Sequence, residues 1–172
     1  FLAKRDGDSG TSLYEIPLTG GEALKIFEYT TSVSSYEWAP DGEKFIFLAN
    51  QPSNEKSSLP YEPIIYEENL SLRKAFIAIP NGEVKSIPLD GHCYAAHWST
   101  DGSKLSISVA PTALVDDSYM KKVINILDAN TLQVINKVSH AAKLGEAGFP
   151  FVILASRATN HGQRSALPPG YL

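Results

Sequence analysis

One repeated motif constrains the fold of this chain more than any other feature of the sequence. The motif is an aromatic residue, two further residues, Asp-Gly, and then an alternating apolar run. It occurs at 34–49 (SSYEWAPDGEKFIFLA) and at 94–109 (YAAHWSTDGSKLSISV). A third segment, 145–149, matches only the approach to the aromatic residue. Because similar units recur along the chain, we expect a fold built from repeated supersecondary units.

Each part of the motif predicts a local structure. Asp-Gly provides the positive φ that a tight hairpin turn needs, and the Asp side chain can close the turn. The alternating apolar residues that follow Lys44 and Lys104 are typical of a strand. Trp38 and Trp98 would end the preceding strands, where a large ring can cover one edge of a packed layer. The motif therefore predicts a hairpin in each copy.

A second type of hairpin accompanies the first. Pairs of apolar runs meet at turn residues in 12–27 (around TGG), in 75–87 (around PNG) and in 123–138 (around DANT). The unit is then four antiparallel strands, which is the blade of a β-propeller. We predict an all-β fold, a partial β-propeller of four-stranded antiparallel blades. Only 69–73 and 139–145 could hold a turn or two of helix.

The propeller portion is predicted to span 1–149. Within it, 1–28 would hold the last three strands of one blade, 34–89 and 94–138 two full blades, and 145 onward the start of another. Closed propellers have about 4–8 blades, and this chain of 172 residues has about two full ones with flanking parts. We therefore expect it to be a fragment of a longer protein.

An insertion interrupts the first full blade at Gln51–Leu72. The segment is rich in proline and serine and has an acidic patch. A surface loop is one interpretation, because loops tolerate insertions. The other is a binding loop at one mouth of the propeller that contacts a cationic or peptide ligand. The contacting residues would then be Tyr61, Glu62, Tyr66, Glu67 and Glu68.

The last segment, 150–172, departs from the repeat. It contains Arg157 and Arg164 but no acidic residue, and no Asp-Gly follows Phe149. One interpretation is a divergent blade that ends in a tail. The other hypothesis is a shift of reading frame, which resequencing of the gene would test.

Composition excludes several functional classes. The formal net charge of −4 argues against a nucleic-acid partner, because such surfaces are usually basic. No apolar run approaches the length of a membrane-spanning helix, so we expect no membrane insertion. The single cysteine excludes an internal disulfide and a multi-cysteine zinc site. We expect no cofactor, since no Gly-rich phosphate loop occurs. No signal peptide is visible, which favours the cytoplasm, although the chain begins at Phe1.

The residues also argue against catalysis by this chain. The segment 7–10 (GDSG) is similar to the nucleophile segment of chymotrypsin-like proteases, but Thr11 and Ser12 follow where that family has Gly-Pro. Ser9 is therefore predicted to be a turn residue. No Gly-x-Ser-x-Gly motif occurs anywhere in the chain. We predict no catalytic, cofactor-binding or metal-binding residue.

The remaining candidate residues are predicted to be structural. Cys93 is expected to be a small buried residue rather than a nucleophile, and His97 is expected to have a structural role within a strand. The pair Asp116 and Asp117 is expected to be solvated in a loop rather than bound to calcium. The four histidines show no metal-ligand spacing; they are His92, His97, His140 and His161.

Three segments resemble a known family. They are 1–7 (FLAKRDG), 13–22 (LYEIPLTGGE) and 38–42 (WAPDG). Together they resemble the N-terminal β-propeller of the prolyl-oligopeptidase family of serine peptidases, particularly its acylaminoacyl-peptidase and dipeptidyl-peptidase-like members. The Trp-x-Pro-Asp-Gly repeat is also similar to the propeller of TolB and related modules. The resemblance covers about 1–149.

The resemblance to the peptidases implies a specific role. In that family the propeller covers an α/β-hydrolase domain, which supplies the catalytic Ser, Asp and His, and it admits only short or unstructured peptides. This chain would be the non-catalytic lid, with the hydrolase domain in cis and a peptide substrate as its partners. The alternatives are a TolB-like scaffold that binds a protein partner, and a truncated gene product without independent function. A Gly-x-Ser-x-Gly domain downstream in the gene would favour the peptidase.

Overall fold

The computed structural model describes residues 1–52 and 70–139, and nearly all of the regular structure there is β-strand. A single short helix, α1, joins the ninth and tenth strands. The elements are β1 (Leu2–Ala3), β2 (Ser12–Glu15), β3 (Leu24–Phe27), β4 (Val33–Trp38), β5 (Phe45–Asn50), β6 (Arg73–Ala78), β7 (Val84–Ser86), β8 (His92–Trp98), β9 (Lys104–Ala110), α1 (Val115–Met120), β10 (Val123–Asp128) and β11 (Val134–Ser139).

The strands form three antiparallel sheets in which each strand pairs with the next in the chain. The first sheet has the order β1–β2–β3, the second β4–β5–β6–β7, and the third β11–β10–β9–β8. The prediction of an all-β fold is confirmed. The described residues form a partial β-propeller, with two four-stranded blades preceded by a three-stranded sheet.

The Asp-Gly hairpins form as the motif predicts. Gly42 and Gly102 have φ values of 72° and 69°, which an L side chain rarely adopts. Asp41 Oδ1 accepts a hydrogen bond from the backbone N–H two residues later at 3.0 Å, and Asp101 Oδ1 does the same at 3.0 Å. Both aspartates are therefore turn formers, because each carboxylate closes its own turn.

The hairpin between β10 and β11 contains an unexpected backbone conformation. Leu132 has a φ of 58°, in the left-handed region, and its side chain is buried in the core between the second and third sheets. A non-glycine residue there costs about 1–2 kcal/mol. Burial of a leucine side chain contributes a comparable amount, about 1.5–3 kcal/mol, which offsets the strain.

Two cores hold the three sheets together, and β5 contributes to both. Phe45, Phe47 and Ala49 pack against the first sheet, while Ile46 and Leu48 pack against the third. All five of these side chains are buried. Because β5 is covered on both faces, its sequence is a continuous apolar run. The alternation expected after Lys44 is therefore wrong for β5, whereas the residues of β9 after Lys104 do alternate.

The two cores differ in composition. The core between the first and second sheets is aromatic, with Phe27 at 5.1 Å from Phe45 and 4.9 Å from Phe47, measured between ring centroids. The core between the second and third sheets is mostly aliphatic and is closed by Trp98, which is 1% exposed. The two spaces between neighbouring sheets are therefore filled by side chains of different shape, aromatic in one and aliphatic in the other, and each set is closely packed.

The helical turn predicted at 69–73 is wrong over 70–73, because residues 70–72 are not helical and Arg73 begins β6. Of the turn predicted at 139–145, only Ser139 is described, at the end of β11, and 140–145 lie outside the described residues. The helix that does form, α1, has six residues. Within the described ranges, no helix is long and apolar enough to cross a membrane.

Candidate functional site at the insertion-bearing end of the sheets

The insertion leaves the second sheet between β5 and β6. Gln51 N–H donates to the carbonyl of Leu72 at 2.8 Å, so the two ends of the insertion meet at its base. The proposed ligand-contacting residues of this loop lie outside the described residues, and their role stays a prediction; they are Tyr61, Glu62, Tyr66, Glu67 and Glu68. The described surface beside this base carries the residues considered next.

His92 connects the starts of β6 and β8. Its Nδ1 accepts a hydrogen bond from the Arg73 N–H at 3.1 Å, and its side chain is buried. Burial, followed by the nearby charge of Arg73, lowers the pKa of His92 below its usual value. The imidazole is therefore neutral at pH 7, with its proton on Nε2 because Nδ1 is the acceptor. His92 fixes the backbone at Arg73 and does not supply a charge.

Tyr94 extends this cluster towards β10. Its ring centroid lies 4.7 Å from that of His92, and Lys122 Nζ lies 4.9 Å from the Tyr94 centroid. Burial is the main cause of the raised pKa of Tyr94, and a hydrogen bond with Ser118 opposes it. Tyr94 is thus a neutral phenol, and its ring supports the Lys122 ammonium by a cation–π contact.

Helix α1 is anchored by a buried carboxylate. Asp117 is 5% exposed; its Oδ2 accepts from Thr112 Oγ1 at 2.7 Å and its Oδ1 pairs with Lys121 Nζ at 2.7 Å. The hydrogen bond from Lys121 is the main cause of the lowered pKa of Asp117, and that from Thr112 is the second. The expectation that Asp116 and Asp117 are both solvated is wrong for Asp117. Both of its oxygens have protein partners because the loop folds back into a helical turn.

A second polar contact joins the second and third sheets near their Asp-Gly turns. Glu37 Oε1 accepts from the Trp98 N–H at 2.9 Å, and Glu37 Oε2 lies 2.7 Å from His97 Nδ1. The Trp98 indole N–H donates to the Glu37 carbonyl at 3.3 Å. Glu37 and His97 hold the same place in the two copies of the motif. These contacts clamp β4 to β8 and give His97 a structural role.

The GDSG segment is a turn held by ionic contacts. Ser9 Oγ donates to Glu28 Oε1 at 2.9 Å, so its partner is a carboxylate and not the imidazole that a serine nucleophile requires. Asp8 accepts from Lys25 Nζ at 2.8 Å, from Tyr14 Oη at 2.6 Å and from the Arg5 N–H at 2.8 Å. These three hydrogen bonds lower the pKa of Asp8 well below its usual range, and the bond from Lys25 has the largest effect.

Cys93 is inert in this structure. Its side chain is 0% exposed and lies in the core between the second and third sheets. Burial raises the pKa of the thiol to about 11. The thiolate, which is the reactive form, is therefore scarce at neutral pH. Over residues 1–52 and 70–139, no group of three or more His, Cys, Asp and Glu side chains is placed to hold a metal ion.

Several solved structures are partly similar to this chain, and three of them are compared below. No protein-family model matches the chain, and no curated protein matches it. TolB from Acinetobacter baumannii is 19% identical with a TM-score of 0.49, over 82% of this chain and 30% of that one. Hydrazine synthase from Kuenenia stuttgartiensis is 20% identical with a TM-score of 0.47, over 75% of this chain and 36% of that one. The β-propeller domain of the trilobed protease from Pyrococcus furiosus is 13% identical with a TM-score of 0.44, over 81% of this chain and 43% of that one. The chain thus spans less than half the length of each.

Sequence reasoning missed the cluster around Tyr94, although one signal was available. Arg73 lies opposite Asn50, the last residue of β5. Lys122 directly precedes Val123, which lies opposite Val109, so the continued register places Lys122 beside the last residue of β9. Arg73 and Lys122 therefore hold the same place in their sheets. Alignment of the third strands of the two blades, in addition to the Asp-Gly hairpins, would have shown this repeated cation.

Proposed function

We propose that this chain is the substrate-gating propeller portion of a prolyl-oligopeptidase-like serine peptidase that acts on peptides, with its hydrolase domain elsewhere in the protein. The observation that carries the proposal is in the first sheet. The Arg5 guanidinium carbon lies 4.8 Å from the centroid of Tyr14, and Arg5 Nη1 donates to the Ala23 carbonyl at 3.3 Å. Arg5 of the Arg-Asp-Gly element thus contacts Tyr14 of the Leu-Tyr element and Ala23, the residue that follows Gly-Gly-Glu.

The physical properties of the sheets are compatible with a gating role. The sheets contact each other through two apolar cores, which resist deformation because protein interiors are closely packed. A rigid stack of blades can select substrates by size without forming any bond to them. Chemistry would be left to another domain, since in the described residues Ser9 donates to a carboxylate and the Cys93 thiol is buried.

A fluorophosphonate probe, which labels activated serines, tests this proposal in the full-length protein. We expect labelling at one serine outside this chain, mapped by mass spectrometry, and cleavage of a short peptide but not of the same sequence within a folded protein. Ser9→Ala is the matched control and should keep full labelling. Loss of labelling in Ser9→Ala, or no labelling of the wild type, would contradict the proposal. The second of these results, with a protein partner that co-purifies, would favour the TolB-like scaffold.

A further inference from the structure

Trp38 and Trp98 hold the same place in the two copies of the motif, but only Trp98 is covered. The side chain of Trp98 is 1% exposed, whereas that of Trp38 is 37% exposed. Trp98 is covered by β4, the edge strand of the second sheet, and its indole N–H donates to the Glu37 carbonyl at 3.3 Å. In the first sheet the hairpin β2–β3 corresponds to β6–β7, so β1 corresponds to β5. No described strand therefore holds the place of β4 beside β1.

The backbone at Trp38 has a donor that points away from its own sheet. Ala39 N–H donates to the Lys44 carbonyl at 2.9 Å, and in the alternating pattern of an antiparallel pair this turns the Trp38 N–H away from β5. The third sheet has the same register, and there the Trp98 N–H donates to Glu37 Oε1 at 2.9 Å. Within the described part of the chain, neither the backbone N–H nor the indole N–H of Trp38 has an acceptor. The contacts that cover Trp98 are thus lacking at Trp38.

The free edge of β1 borders the same groove as Trp38. Phe1 and Tyr14 exchange two backbone hydrogen bonds, each 2.8 Å long. The N–H and C=O of the next residue, Leu2, therefore point away from β2, to the side where no described strand lies. Phe1 and Trp38 both line one groove of about 570 Å³. An open strand edge and an uncovered indole therefore occur together.

Both segments outside the described residues are attached at the other end of the sheets. Trp38 lies opposite Phe45, the first residue of β5, whereas the insertion follows Asn50, the last, about 17 Å along the strand. Ser139, after which the described chain ends, lies opposite Val123, far from the Asp-Gly turn of its sheet. Neither point of attachment is beside the groove.

We propose that an extended segment of the same protein, from outside residues 1–172, adds to β1 as a fourth strand and covers Trp38. Its backbone pairs with Leu2, its carbonyl accepts the indole N–H of Trp38, and a side-chain oxygen accepts the Trp38 backbone N–H. The occupant is a strand because an open sheet edge presents unpaired backbone donors and acceptors that another strand can satisfy. It belongs to the same protein because β4, which covers Trp98, is part of the same polypeptide. This inference does not depend on the proposed peptidase activity.

Photo-crosslinking in the full-length protein tests which segment lies over Trp38. p-Benzoylphenylalanine is incorporated at position 38, and the linked peptide is identified by mass spectrometry after irradiation and digestion. We expect one peptide from outside residues 1–172, in a product that migrates as a monomer. The same analogue at Met120, which is exposed on α1, is the control and should not link to that peptide. If the substitution at position 38 alters the circular dichroism, the analogue at Ile16, which also lines the groove, replaces it.

Hydroxyl-radical footprinting measures the cover without an unnatural residue. In the unsubstituted full-length protein, both Trp38 and Trp98 should be oxidised at least about tenfold more slowly in buffer than in urea. Leu2→Pro removes the N–H at the edge of β1, and Leu2→Ala is its matched control, because it also shortens the side chain but keeps the N–H. Oxidation of Trp38 should be about fivefold faster in Leu2→Pro than in Leu2→Ala, the effect of one hydrogen bond.

Several results would overturn the inference. Oxidation of Trp38 in buffer at the rate seen in urea would show that nothing covers it, and equal rates in the two Leu2 variants would show that the cover is not a strand on β1. A covalent dimer would assign the groove to a second copy, and a link to another protein would assign it to a separate partner. A link within 53–69 or 140–172 would assign it to a segment of this chain. Serine labelling has no bearing on these outcomes, so the peptidase and the fourth strand can fail separately.

Discussion

Trp98 gives the sharpest test of how the second and third sheets are held together. Its side chain is 1% exposed, and its indole N–H donates to the Glu37 carbonyl at 3.3 Å. Trp98→Phe removes roughly 40 Å³, which at about 24 cal/mol per Å³ of cavity costs about 1 kcal/mol. Loss of the hydrogen bond from a buried site adds about 1 kcal/mol. We therefore expect the free energy of unfolding to fall by about 2 kcal/mol.

Trp38→Phe is the matched control, because Trp38 holds the same place in the other copy of the motif. Its side chain is 37% exposed, so the change should cost less than about 1 kcal/mol. Phenylalanine is preferable to alanine, since a partial propeller has little stability to lose. Each variant keeps one of the two tryptophans, so urea titrations can be followed by its emission and by circular dichroism. Equal losses in the two variants would refute the argument that burial of Trp98 joins the sheets.

Three further predictions address single positions. In Gly91→Ala, the added Cβ would lie 2.3 Å from the Ala110 carbonyl oxygen, at a residue whose φ is +101°. We expect the free energy of unfolding, measured by thermal unfolding, to fall by about 3 kcal/mol or more. The control Gly20→Ala has a similar φ of +94° but no atom within 4 Å of the added Cβ, so its free energy of unfolding should fall by only about 1 kcal/mol. Folding lowers the pKa of Asp8, so the ionised Asp8 carboxylate stabilises the folded state. This stabilisation is complete above the pKa of Asp8 in the unfolded chain, about 3.8, and is lost as the pH falls towards the lower pKa of the folded state. Between pH 4 and 2 the stability of the wild type should therefore fall more steeply than that of Asp8→Asn, and parallel curves would contradict this. At pH 8 a disulfide reagent should modify Cys93 at least about tenfold faster in urea than in buffer, because the native thiol is buried with a pKa of about 11.

Local chemistry explains why much of the fold could be predicted from the sequence. Gly42 and Gly102 follow Asp and precede an apolar strand, and this combination requires little information from elsewhere in the chain. The helix at Val115–Met120 could not be found in this way. With six residues it is too short for a periodic pattern, and its stability depends on the contacts of the buried Asp117.

The candidate site was not predicted because it depends on strand register and on contacts between sheets. Arg73 and His92 are 19 positions apart, and they meet only because β6 and β8 begin at the same end. Lys122 reaches Tyr94 across β9, since it continues the strand that pairs with β9 on the side away from β8. A sequence pattern shows which residues are neighbours along one strand. The residues of this cluster come from three strands, β6, β8 and β10, in two sheets.

The two blades share their turn residues but not their core residues, and the two cases have different physical reasons. The Asp-Gly turn recurs because each hairpin needs the same backbone conformation. Core residues are not shared, since Phe47 faces the first sheet whereas the equivalent Ile107 faces the second. The residue type at a core position therefore follows from the neighbouring sheet that the strand contacts, whereas the turn residues follow from the backbone conformation of the hairpin itself.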